Sequence, residues 1–151
     1  MKRQSVVLKF IRLTAVVMVL VFALVLCTAC KEKGLDVIFY DYETGAKLST
    51  INSIEDEASV QKITQTLVEG EECSQDIEED VAYSLYFKDP KDSTYDIWYK
   101  VVVANDEVYS RIDFSKMSEE YAETFKEMNF TEEYFKCTGI TVDELEALLV
   151  K

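Results

Sequence analysis

The residue pattern predicts an α+β domain: an antiparallel sheet in β-β-α-β-β-β order, crossed by one helix and followed by C-terminal helices. Three observations carry that expectation. Runs rich in β-branched and aromatic residues recur at Leu35–Tyr42, Lys47–Ile51, Val81–Lys88, Tyr95–Ala104 and Glu107–Ile112, as half-buried strands require. Short turn signals join the runs within each hairpin, which makes neighbours antiparallel. Apolar residues at helical spacing occur only between the second and third runs and again after Ser115.

Taken in order, Glu43-Thr44-Gly45 turns the first strand into Lys47–Ile51. Ser53 with Asp56 three residues on resembles a capping box. Ala58, Val60, Ile63 and Leu67 then share one face of a helix over about 54–68, which Gly70 ends. The stretch 69–80 is the most acidic of the chain and reads as a solvated loop. Val81, Tyr83, Leu85 and Phe87 alternate with Ala82, Ser84, Tyr86 and Lys88. The only proline, Pro90, sits in the turn that follows, and Asn105-Asp106 is a two-residue hairpin turn of residue types that tolerate positive φ. Ser115 or Ser118 caps a helix presenting Met117, Tyr121 and Phe125, and Thr131 starts a short turn. Thr141-Val-Asp-Glu144 is a second capping box, leading into Leu145, Leu148 and Leu149.

Ahead of this domain lie Lys2, Arg3, Lys9 and Arg12, then an uncharged run from Leu13 that ends in Cys27-Thr28-Ala29-Cys30. A basic start, an apolar centre and small residues at the far end are the parts of an export signal. The tetrad resembles the lipobox of bacterial lipoprotein signal peptides, as found on small Gram-positive lipoproteins, with Cys27 standing where Leu is usual. The resemblance implies that residues 1–29 are a signal peptide, that Cys30 carries a diacylglyceryl group as the mature N-terminus, and that the domain is held on the outer face of the cell membrane. An uncleaved anchor helix is the competing reading, since residues 13–30 make about 27 Å of helix, near the thickness of the hydrocarbon core. In either case residues 30–34 are a short tether, reaching about 14 Å at most from Lys31 to Gly34, and 35–151 form one domain.

Loss of the leader removes four basic residues and no acid. It leaves 12 basic against 29 acidic residues, a net charge of −17, which argues against nucleic acid as a partner. The chain has no histidine, so the commonest general base and the commonest metal ligand are both missing. Its four glycines mark a tether, a turn and helix ends, so none is left for a phosphate loop. No cofactor is expected and no metal ligands are assigned. Cys73 and Cys137 remain as a candidate disulfide or as two free thiols.

The hairpin register supplies the candidate binding face. A two-residue turn at Asn105-Asp106 pairs Val102 with Tyr109 and Lys100 with Arg111, while Tyr99, Val101, Val103, Val108 and Ile112 point to the core. Continued to the preceding strand, the alternation places Tyr86 and Lys88 beside Trp98 on the first face. Tyr86, Lys88, Trp98, Lys100, Tyr109 and Arg111 are therefore the candidate residues for a ligand or partner. Facing like charges demand an anion. It is either internal, from the Glu-rich C-terminal helices with Glu119, Glu120, Glu123, Glu127, Glu132 and Glu133 lying over this face and burying its aromatics, or it belongs to an envelope polymer or an acidic protein. The expected function is a non-catalytic binding or regulatory module. A cation or envelope-ligand site in the acidic loop 69–80 and a carboxylate-based hydrolase are the alternatives.

Overall fold

The computed structural model describes residues 34–68, 70–73, 76–89 and 96–151. The leader, Cys30 and the tether up to residue 33 lie outside them, as do Pro90 and Tyr95. The described residues form an α+β domain with a seven-stranded antiparallel sheet in the order β2-β1-β4-β5-β6-β7-β3. Its strands are β1 (Asp36–Asp41), β2 (Lys47–Asn52), β3 (Glu71–Glu72), β4 (Val81–Lys88), β5 (Ile97–Ala104), β6 (Glu107–Ile112) and β7 (Phe135–Lys136). The helices are α1 (Glu57–Thr66), α2 (Glu119–Glu127) and α3 (Val142–Leu149), with a 3-10 turn at Phe114–Lys116.

The central β5–β6 hairpin turns through Asn105 and Asp106 at φ 52° and 63°, the paired left-handed conformations of the turn that matches strand twist. It sets Lys100 opposite Arg111 and Val102 opposite Tyr109. Tyr99, Val101, Val103, Val108 and Ile112 are all buried on the opposite face, in one core with Val60 and Ile63 of α1, Leu67 just after it, and Leu145 and Leu148 of α3. Ala122 and Phe125 of α2 join the same core.

Two local expectations are corrected and one is met in position only. Helix α1 is capped by Asp56, whose side chain accepts from the Ser59 amide. Ser53 does not cap, because its hydroxyl accepts the Leu35 amide at 2.7 Å and ties β2 to the start of β1. In front of α2, Ser118 holds the cap position without a side-chain bond; its amide donates to Asp96 Oδ2 at 2.7 Å. Finally, the two-residue strands β3 and β7 extend the sheet, with Glu71 opposite Lys136. Strands that short carry no periodicity to read. The Thr141–Glu144 capping box forms as expected.

Of the two readings of the cysteines, the structure has free thiols. The Cys73 amide donates to the Tyr134 carbonyl and the Cys137 amide to that of Val108. The thiols thus sit three residues apart along the ladder, about 10 Å, and on opposite faces by strand alternation, beyond the reach of a disulfide. Burial pushes the Cys137 thiol up to about 12.

Close packing at the β3–β7 edge yields a prediction. A Cβ on Gly70 would lie 2.2 Å from the Lys136 carbonyl oxygen and 2.6 Å from the Phe135 ring. Because the first neighbour is backbone, Gly70→Ala is expected to cost about 1–3 kcal/mol, the range for overpacking. Urea unfolding measures the loss.

Candidate functional site

All six candidate residues project from one side of the sheet, because their registers are linked: Tyr86 lies opposite Trp98, Lys100 opposite Arg111 and Val102 opposite Tyr109. The face is divided into two unlike halves.

The half nearer the Asn105-Asp106 turn is neutralised from within. Lys100 is buried and donates to both carboxylate oxygens of Glu79 at 2.7 and 2.8 Å. Glu79 also accepts the Tyr134 hydroxyl at 2.7 Å. Arg111 donates to Glu132 Oε1 at 3.0 Å and stacks 5.4 Å from the Tyr134 ring. The Tyr109 hydroxyl donates to Glu107 at 2.7 Å, which also pairs with Lys136; that bond, followed by burial, raises the Tyr109 hydroxyl to about 12. The anions facing Lys100 and Arg111 are therefore Glu79, from the acidic loop, and Glu132, from the segment after α2. Beneath them Asp113, fully buried, accepts from the Ser115 amide and hydroxyl at 3.2 and 2.5 Å. Tyr42 covers this floor with the Lys100 and Lys116 ammoniums 4.2 and 4.7 Å from its ring centre. Burial and then the charge of Asp113 push the Tyr42 hydroxyl's pKa up.

The other half is aromatic. Tyr86 and Trp98 stack at 4.2 Å with planes 10° apart, and Tyr40 of β1 adds a third ring 5.7 Å from Trp98. The Trp98 indole donates to Asp96 Oδ1 at 2.6 Å, which fixes its rotamer. Lys116 approaches the indole at 5.5 Å and donates to buried Ser84 Oγ at 2.7 Å. All three rings are half-buried and Lys88 is exposed.

Sequence reasoning missed Tyr40, Tyr42, Glu79, Asp113 and Lys116. Extending the strand alternation one strand further, from Tyr86 to Ile38 and Ser84 to Tyr40, reaches Tyr40. Lys116 is the last residue of the 3-10 turn, and no strand periodicity carries a register through such a turn.

Among the described residues no group of three or more acidic or thiol side chains is placed to hold a metal ion. The described acids of the loop are spread out: Glu71 and Glu72 lie in β3, Asp76 and Glu78 are exposed, Glu79 pairs with Lys100, and Asp80 accepts the Asn105 amide at 3.0 Å.

Burial works against ionisation of Glu79, but the bonds from Lys100 and Tyr134 outweigh it and hold its pKa below the ordinary glutamate value. A depressed pKa in the folded state means that this contribution is present above the unfolded value of about 4.3 and lost as pH falls through the folded one. Stability is therefore expected to decline below about pH 5. Glu79→Gln should be less stable than the parent at neutral pH and should flatten that part of the decline, as measured by urea midpoints across pH.

No protein-family model, curated protein or solved structure matches this chain.

Proposed function

We propose that the chain is a lipoprotein of the cell membrane, anchored through Cys30 on the extracytoplasmic face, whose domain acts as a non-catalytic binding or regulatory module. The leader ending in Cys27-Thr28-Ala29-Cys30 supports the placement. The ladder Tyr40–Trp98–Tyr86 carries the binding reading: three half-exposed rings on a rigid sheet are a stacking surface, and aromatic residues of this kind anchor interfaces at low cost in side-chain entropy.

The division of the face narrows the proposed contact. Lys100, Arg111 and Tyr109 already have carboxylate partners, so a ligand gains little by approaching them. Tyr40, Tyr86, Lys88, Trp98 and Lys116 form the half able to take one, a ring-stacking ligand or an exposed protein segment with few positive charges. A cation site in the loop 69–80 is the second reading. Calcium calorimetry decides it, and the dispersed use of the loop's acids predicts no heat.

Placement is tested by exporting a version that begins at Lys31 behind an ordinary cleavable signal, which is expected to leave the domain in the soluble extracytoplasmic fraction while the parent sediments with membranes. A parent whose membrane-bound form still begins at Met1 and carries no lipid on Cys30 would contradict lipid anchoring and favour a retained helix.

A further inference from the structure

We infer that the end of the domain bearing Gly34, Ile54 and Val150 is seated on the surface of the lipid bilayer, so that the long strands stand away from the membrane and the Trp98 face looks sideways along it. The inference rests on the anchoring proposed above and adds an orientation to it.

The point where the tether leaves the domain is rigid. Gly34 adopts φ +63°, and a Cβ there would meet Asn52 Oδ1 at 2.7 Å, Ser53 Oγ at 2.8 Å and Ile54 Cγ1 at 2.9 Å. The Leu35 amide donates to Ser53 Oγ at 2.7 Å, and the Ser53 amide donates to the Leu35 carbonyl at 2.9 Å. The exit is thus clamped against the end of β2. Three residues separate Cys30 from Gly34, and even fully stretched they keep that exit within about 14 Å of the lipid-bearing residue.

The same end presents apolar surface. Ile54, in contact range of Gly34, is 56% exposed, and Val150 at the end of α3 is 85% exposed. Val150 belongs to this end because the adjoining Lys151 donates to Ser59 Oγ at 2.6 Å and pairs with Asp56, which caps α1 two residues after Ile54. The register puts Asp36, Asn52, Lys88, Ile97 and Ile112 at this end of their strands. The Glu43-Thr44-Gly45 and Asn105-Asp106 turns lie at the other, about 25 Å away by strand rise. The exposed charges at this end are of both signs, Glu55 and Glu57 beside Ile54 with Lys88 and Lys151, so the surface fits zwitterionic headgroups.

The test uses the full chain, processed and lipidated, in phosphatidylcholine vesicles doped with a nitroxide-labelled lipid. In a Cys73→Ser background, a bimane fluorophore is placed at Ile54→Cys or at Glu43→Cys, and the Cys73→Ser chain alone gives the background. Quenching at position 54 is expected to exceed that at 43 by about twofold or more, since the two differ in height by most of a bilayer's hydrocarbon thickness. Equal quenching, or stronger quenching at 43, in protein whose Cys30 carries lipid overturns the seating and leaves the anchoring intact. Protein whose Cys30 lacks lipid overturns the anchoring itself, and the seating with it.

Discussion

Replacing Trp98 by alanine is expected to lower partner capture from membrane vesicles at least tenfold, while the domain stays folded. The indole stacks on Tyr86 at 4.2 Å, lies 5.7 Å from Tyr40 and is fixed by its bond to Asp96. Its removal therefore dismantles the ladder instead of trimming its rim. Central aromatic anchors of interfaces cost about 2 kcal/mol or more on truncation, some thirtyfold in affinity. Trp98→Phe keeps a ring and should retain part of the capture. Lys100→Met should leave it nearly unchanged, because Lys100 is buried and already paired with Glu79. Crosslinking yields from the lipidated parent and the three variants, with circular dichroism to verify folding, check the ranking. If Lys100→Met proves as damaging as Trp98→Ala, the contact does not lie on the aromatic half.

The largest loss of stability is expected from Phe39→Ala. Phe39 is fully buried in β1, flanked by Ser49 of β2 and Leu85 of β4, and its ring fills the core over which α1 packs. Truncating a buried Phe costs about 3–5 kcal/mol through lost transfer energy and the cavity left behind. Against a typical domain stability of about 5–15 kcal/mol, that removes a fifth or more. The same strand holds Tyr40, so loosening β1 also disturbs the ladder. Leu48, 40% exposed on the edge strand β2, should lose only about 0.5 kcal/mol as alanine. Equilibrium urea unfolding of the two variants measures the contrast.

The parts of the fold legible in the sequence are those where local chemistry and burial agree. Asn105-Asp106 specified a turn type, the turn specified a register, and the register placed Lys100 opposite Arg111; the alternation carried to the preceding strand put Tyr86 beside Trp98, where the two are paired. The Thr141–Glu144 box was legible for a similar reason, since both of its bonds are local. Ser53 and Asp56 show where such reasoning gives way. Either can cap a helix, but the Leu35 amide, eighteen residues away in sequence, takes the Ser53 hydroxyl, and the helix starts later on Asp56. Long-range partners also set the character of the candidate face. Glu132, which pairs with Arg111, was among the C-terminal acids the sequence offered, but Glu79 reaches Lys100 from the acidic loop, a segment without periodicity, so that source was not visible. Strands β3 and β7 exist because Phe135 and Lys136 pair with both β6 and β3; two residues apiece leave no pattern to detect.

The proposed placement, seating and contact all depend on export and on a thiol that takes up lipid at position 30. Mass spectrometry of the N-terminal peptide from the membrane-extracted protein tests this most directly. The expected mature chain begins at Cys30 and carries the mass of a diacylglyceryl group. A chain that begins at Met1 with Cys30 unmodified would contradict it.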